Sequence, residues 1–124
     1  MKRNMDLIRK ILIVIEEYPH FPEIVSGKPA ISFDIPDHDE EEIYYHLKLL
    51  SEAGLILTSS GRTFSYRLVQ GLTWQGHEFL ELMKKDTHWN KAKEAMKETG
   101  GMAFEVLMRI LLETATKAAL GQLH

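Results

Sequence analysis

The first helix of the chain is indicated by apolar residues that recur at intervals of three and four. These residues share one helical face: Leu7, Ile8, Ile11, Leu12 and Ile15. Such a stripe predicts a helix with one buried side. Asn4 is suited to cap this helix, which begins at about Met5. Pro19 ends it after Glu17 because proline lacks the backbone N–H that a continuing helix requires.

A short strand and a second helix follow. Ile31, Phe33 and Ile35 alternate with polar residues, which is the two-residue period of a half-buried strand that Pro36 ends. A helix is then predicted from about Glu40 to Ala53. Asp39 is its expected N-cap, its buried stripe is Ile43, Leu47 and Leu50, and Gly54 is its expected left-handed C-terminal residue.

A hairpin and three more helices complete the predicted elements. Two strands, Leu55 to Thr58 and Thr63 to Val69, are joined by a turn at Ser59 to Arg62. Thr73 is suited to cap the next helix. The three helices are predicted at about Trp74 to Lys85, Asp86 to Glu98 and Met102 to Ala119, and Gly100 and Gly101 separate the last two.

Two segments resemble parts of winged helix-turn-helix proteins. EEIYYHLKLLSEAGLI, from Glu41 to Ile56, resembles a recognition helix and the turn into the wing. SYRLVQGLTWQGHEFLELM resembles the second wing strand and a Leu-Thr-x-x-Gly helix start, here Leu72, Thr73 and Gly76. The resemblance implies an α+β winged-helix core over residues 1–85 with a small antiparallel sheet. Residues 86–124 are expected to form a C-terminal helical extension, which packs on the core as part of one structural domain or lies in a dimer interface.

The chain departs from the winged-helix pattern just before the recognition helix. A typical helix-turn-helix has a short positioning helix there. In this chain the place is taken by ISFDIPD, from Ile31 to Asp37, which alternates like a strand and contains Pro36. The positioning helix is therefore expected to be atypical or missing.

Nearly the whole chain also resembles a family of short bacterial and phage-borne proteins of unknown function. The resemblance rests on MKRNMDLIRKIL, DEEEIYYHLKLLSEAGLI, LTWQGHEFL and a D-T-x-W-N segment formed by Asp86, Thr87, Trp89 and Asn90. It implies a winged-helix fold and a regulator from a mobile element. It implies no known activity and no functional residues.

The charge distribution disfavours DNA reading by the second helix. The formal net charge is −3, whereas nucleic-acid binders usually have a basic excess. Five carboxylates lie between Asp37 and Glu42, where a recognition helix would approach phosphates. This acidic run has two interpretations, a functional surface or a solvated helix start.

We therefore favour a protein partner for the second helix. Its outward positions include aromatic side chains of the kind enriched at interfaces. The candidate interaction residues are Tyr44, Tyr45, Lys48, Leu49 and Glu52. The alternative is a DNA-binding regulator in which the wing and the basic N-terminus contact phosphates. Its candidate residues are Lys2, Arg3, Arg9, Lys10, Arg62 and Arg67.

The last helix favours self-association. It is apolar on most sides, with one narrow charged stripe formed by Glu105, Arg109, Glu113 and Lys117. A helix of this kind is buried on most faces. We expect a homodimer. The alternative is that the helix is buried in the core of a single chain. The candidate dimer residues are Phe104, Leu107, Met108, Leu111, Leu112 and Ala115.

No motif of the chain indicates catalysis. There is no H-E-x-x-H pattern, glycine-rich phosphate loop or cysteine, so we expect no enzyme activity, cofactor, metal or small-molecule substrate. His46 is expected near the core with a hydrogen bond, and Trp74 and Trp89 are interpreted as core anchors. No apolar stretch reaches the roughly 20 residues of a membrane span. The absence of cysteine fits a reducing compartment, so a cytoplasmic location is expected.

Overall fold

A computed structural model describes residues 1–18, 33–58, 69–99 and 104–122. Within these ranges the fold is α+β, as predicted, with five helices and a two-stranded antiparallel sheet. The chain divides into two compact units, residues 1–77 and 78–124. The sequence pattern placed the end of the core at residue 85. No helix in the described ranges is long and apolar enough to cross a lipid bilayer.

Helix α1 spans Met5–Glu17 and begins where its capping residue predicts. The Asn4 side-chain oxygen accepts a hydrogen bond from the Leu7 N–H at 3.2 Å, which satisfies one of the free donors of the first turn. All five apolar residues of the predicted stripe are buried, together with Met5. Each such side chain contributes about 1.5–3 kcal/mol on burial, so this face anchors the helix in the first unit.

Helix α2 spans Glu40–Glu52 and its predicted features are confirmed. The Asp39 carboxylate caps it by accepting from the Glu42 N–H at 2.8 Å. The predicted stripe of Ile43, Leu47 and Leu50 is buried. Gly54 follows with a φ of 73°, a left-handed conformation that glycine adopts at little cost. The chain therefore reverses at Gly54 and enters the sheet.

The sheet pairs β1, Ile56–Thr58, with β2, Val69–Leu72. Ile56 lies opposite Leu72 and Leu57 opposite Gly71, whereas Thr58 lies opposite Val69. Gln70 is therefore the extra residue of a bulge. The first strand was predicted. The prediction that the second strand ends at Val69 is wrong, because the ladder continues to Leu72. Residues 63–68 and the predicted turn at 59–62 lie outside the described ranges.

The strand predicted before α2 is not formed in its described part. Residues 33–35 have no strand assignment, and a turn follows at Pro36 and Asp37. The His38 N–H donates to the Ile35 carbonyl across this turn at 3.4 Å. Ile35 is buried and Asp34 exposed, so the alternation of the sequence reflects one inward side chain rather than a β ladder. Residues 33–39 also contain no helix, and the earlier residues 19–32 lie outside the described ranges.

Helix α3 spans Trp74–Met83 and is fixed by its first turn. The Thr73 hydroxyl accepts from the Gly76 N–H at 3.0 Å and donates to the Gly54 carbonyl at 2.6 Å. The Thr73 N–H donates to the Leu55 carbonyl at 3.1 Å. A Cβ atom on Gly76 would collide with that same carbonyl oxygen. The predicted Thr73 cap is therefore confirmed, and Gly76 is required for close approach of two backbones.

The second unit contains two longer helices, α4 at Asp86–Thr99 and α5 at Phe104–Gln122. Both were predicted, although residues 100–103 lie outside the described ranges. The helices pack against each other. Their described buried side chains are Trp89, Ala92, Met96, Leu107 and Leu111. The interpretation of Trp89 as a core anchor is confirmed.

We predict that Gly76→Ala destabilises the protein by about 1–3 kcal/mol, the usual cost of inserting atoms into a closely packed site. The backbone of Leu55 would have to move to admit the new methyl group. Urea unfolding followed by circular dichroism measures the change. Gln75→Ala is the matched control, because Gln75 is exposed in the same helical turn. Equal stabilities for Gly76→Ala and the control would contradict the close packing.

Candidate functional site

His46 is a buried polar group that joins the start of α1 to α2. Its side chain is 0% exposed. The Nε2 atom accepts a hydrogen bond from the Asn4 N–H at 2.8 Å, so this nitrogen carries no proton. The Nδ1 atom lies 2.8 Å from the Glu42 carbonyl oxygen and donates to it. The expectation of a hydrogen-bonded histidine near the core is confirmed, and its two hydrogen bonds connect the start of α1 to α2.

We predict that His46→Leu lowers the free energy of unfolding by about 1–3 kcal/mol, because the partly buried Asn4 N–H loses its acceptor. His77→Leu is the control, since His77 is exposed. Chemical unfolding of both variants beside the unmodified protein measures the difference. A His46→Leu variant as stable as His77→Leu would show that this hydrogen bond does not support the fold.

The N-terminal end of α2 presents negative charge. Asp39, Glu40 and Glu41 are exposed, and they lie at the positive end of the helix dipole, which stabilises them. His38 and Glu42 form a partly buried pair, with 2.9 Å between Nδ1 and Oε1. Within the described residues this end therefore matches the acidic surface expected from the sequence, and it would repel a phosphate backbone.

The candidate interaction face of α2 is less exposed than the sequence suggests. Tyr44, Tyr45 and Leu49 are half-buried, whereas Lys48 and Glu52 are exposed. The Tyr45 ring packs edge-on against the His46 imidazole, with 5.4 Å between ring centroids. Part of this aromatic surface therefore serves the fold of the unit itself.

Trp74 is the most exposed large apolar side chain among the described residues, at 76%. Its interpretation as a core anchor is wrong, and helical phase gives the reason. The buried residues of α3 are Gly76, Phe79, Leu80 and Met83. At about 100° per residue, position 74 falls on the opposite side of the helix. Assigning helical positions at this angle from the sequence alone could have identified Trp74 as a surface residue.

The first turn of α3 holds Trp74 beside the C-terminal end of α2. The Thr73 hydrogen bond to the Gly54 carbonyl makes this connection. Glu52, Ala53 and Gly54 are all exposed there. We call these three residues and Trp74 the Trp74 surface. The Thr73 connection thus brings the backbone of an exposed tryptophan to the C-terminal end of α2, where Glu52 is exposed and the helix dipole is negative.

A second exposed apolar residue lies on the sheet of the same unit. Leu57 is 45% exposed, and it lies opposite Gly71 in the ladder. Among the described residues, no atom lies within 4 Å of a Cβ atom placed on Gly71. Within that part of the chain, the sheet is therefore uncovered at Gly71, opposite Leu57.

Only four of the six candidate phosphate-contacting residues lie within the described ranges. Lys2, Arg3 and Lys10 are exposed and Arg9 is half-buried. Arg62 and Arg67 lie outside the described residues, so the predicted basic rim of wing and N-terminus is not assembled by the described part of the chain. Within that part, no group of three histidine, aspartate or glutamate side chains is arranged to hold a metal ion.

The candidate dimer residues of α5 fall into two classes. Leu107 and Leu111 are fully buried within the single chain, where a partner cannot reach them. Met108 is half-buried and Leu112 is 58% exposed. The side chains of Phe104 and Ala115 lie outside the described set. Among the described side chains of this helix, the exposed ones therefore lie on its charged side around Leu112.

Comparison with known proteins places this α+β chain in a family. Residues 2–103 match the family described as Hypothetical protein (DUF2513), and the chain belongs to it. It is 40% identical over 103 residues to a protein of Haemophilus influenzae that bears the name "Uncharacterized protein". That alignment covers 78% of this chain and 80% of the relative. No solved structure matches the chain. The expected membership of a family of unknown function is confirmed.

Proposed function

We propose that the protein is a non-catalytic interaction module whose first unit binds another protein through the Trp74 surface. The observation that carries the proposal is the 76% exposure of Trp74 on a backbone fixed by the Thr73 hydrogen bonds. Exposing a tryptophan to water is unfavourable, and tryptophan is the residue type most enriched at energetic centres of protein interfaces. An exposed tryptophan on a fixed backbone therefore favours a binding role.

A winged-helix origin for the first unit is part of the proposal. Its elements follow in the order α1, α2, β1, β2 and the start of α3. The helix that corresponds to a recognition helix is α2, and the β1–β2 hairpin corresponds to the wing. This order and the Leu72-Thr73-x-x-Gly76 helix start support the assignment. The usual positioning helix is not seen in residues 33–39.

Electrostatics favours protein over DNA as the partner. In winged helix-turn-helix proteins that bind DNA, the N-terminal residues of the recognition helix approach the bases and phosphates. Here that end of α2 exposes Asp39, Glu40 and Glu41. Each carboxylate placed next to the duplex would oppose binding, and Lys48 is the exposed lysine of the same helix. The exposed carboxylates at this end of α2 thus support a protein partner rather than DNA.

The chemistry of the Trp74 surface defines the kind of partner it fits. The indole requires an apolar pocket with an acceptor for its N–H. Glu52 and the carboxyl end of α2 favour a lysine or arginine beside that pocket. We therefore propose a protein partner with a hydrophobic pocket whose rim is basic.

A site-specific crosslinking experiment tests the partner directly. A photoreactive phenylalanine analogue is introduced at position 74 or, as the matched control, at the neighbouring exposed position 75, and crosslinked in cells of the native host. We expect a distinct protein adduct from position 74 and a weaker one or none from position 75. The purified partner should bind Trp74→Ala at least about tenfold more weakly, which corresponds to about 1.4 kcal/mol.

Two results would overturn the proposal. One is a purified partner that binds the unmodified protein, Trp74→Ala and Gln75→Ala with equal affinity. The other is a position-74 adduct that contains nucleic acid and disappears with rising salt, because phosphate contacts weaken steeply with ionic strength. The second result would support the DNA-binding alternative, in which the wing and the basic N-terminus contact phosphates.

A further inference from the structure

The exposed side of α5 combines one apolar residue with charges of both signs. Leu112 is 58% exposed. Arg109, Glu113, Thr116 and Lys117 are exposed on the same side of the helix. The opposite side is occupied by the buried Leu107 and Leu111, so the exposed side can meet a partner without disturbing the packing of the second unit. The Thr116 hydroxyl donates to the Leu112 carbonyl at 2.8 Å and so adds no unsatisfied donor.

The order of the charges makes this side complementary to itself when the helix direction is reversed. Positions 105, 109, 113 and 117 are Glu, Arg, Glu and Lys. In an antiparallel copy centred on residue 111, position 109 of each copy meets position 113 of the other. Each pairing joins opposite charges. A parallel copy in register would instead place like charges together, which is unfavourable at short range.

The same register brings the exposed apolar residues together. Leu112 lies one residue beyond the centre in each copy, so the two Leu112 positions are separated by two residues along the axis, or about 3 Å. Arg109 of each copy then flanks this contact with Glu113 of the other. A central apolar contact with charged groups at its rim is the usual arrangement of a protein interface.

We propose that α5 pairs with α5 of a second copy of this chain in an antiparallel arrangement centred on residue 111. This surface belongs to the second unit and is independent of the Trp74 surface. The charges select the direction and register of pairing, and Leu112 supplies the apolar contact. The buried Leu107 and Leu111 remain inside each chain.

The ordinary role of such charges is helix support within one chain. Glu113 and Lys117 are four residues apart, a spacing at which opposite charges stabilise an isolated helix. That role predicts that a substitution affects only the chain that carries it. Pairing between chains predicts that two variants, each unable to pair with itself, associate with each other. The test measures this difference.

Sedimentation equilibrium of the full chain, at low and at high salt, measures the association. We expect the unmodified protein to dimerise, and Arg109→Glu and Glu113→Arg each to lose at least tenfold in association constant because like charges then face each other. An equimolar mixture of the two variants should regain the lost dimer, as should the double variant R109E/E113R. Rising salt should weaken all charge-dependent pairing, because exposed charges are screened beyond about 10 Å at 0.1 M.

Control variants separate this arrangement from general charge effects. Lys91→Glu changes the net charge by the same amount as Arg109→Glu at an exposed position of α4, and it should leave the dimer intact. Leu112→Glu should abolish the dimer. Circular dichroism establishes that each variant is folded. A monomeric unmodified protein up to about millimolar concentration overturns the proposal. So does a mixture of Arg109→Glu and Glu113→Arg that associates no better than either alone.

Discussion

The Thr73 hydroxyl, which bridges the end of α2 and the start of α3, is the contact on which the architecture of the first unit depends. It donates to the Gly54 carbonyl and accepts from the Gly76 N–H, so one side chain closes the turn after α2 and caps the following helix. Gly76 completes the arrangement because only a residue without a Cβ fits against the Leu55 carbonyl. With the helix start fixed in this way, helical geometry leaves Trp74 pointing into solvent. The binding role proposed for the first unit is a consequence of this constraint.

Local signals in the sequence were sufficient for most helices and insufficient for the sheet. Asn4 and Asp39 mark helix starts because their side chains bond to backbone groups three residues away, and that geometry depends on nothing distant. The end of β2 depends on which residues meet β1. The pattern of alternation therefore ended the strand at Val69, whereas the ladder continues to Leu72.

The errors at Trp74 and before α2 have different physical origins. Large aromatic side chains are usually buried, and the prediction for Trp74 rested on this residue type. Its helical position, on the side opposite Met83, indicates exposure instead. Alternation around Phe33 satisfied the period of a strand, but a strand also needs a ladder partner, and the turn at Asp37 follows at once. His46 was placed correctly because its position beside Leu47 and between Ile43 and Leu50 put it at the edge of a buried stripe. Its hydrogen bond to the Asn4 N–H could not be inferred, since Asn4 is 42 residues away in the sequence.

Fluorescence of single-tryptophan variants tests most directly the central claim, which is that Trp74 is exposed to solvent. Trp89→Phe leaves Trp74 as the only tryptophan, and Trp74→Phe leaves the buried Trp89. In dilute solution we expect Trp74 to emit at long wavelength and to be quenched by acrylamide nearly as readily as free tryptophan, while Trp89 emits at shorter wavelength and is protected. A Trp74 signal as protected from acrylamide as that of Trp89 would contradict the account, because the surface proposed for binding would then be part of the folded interior.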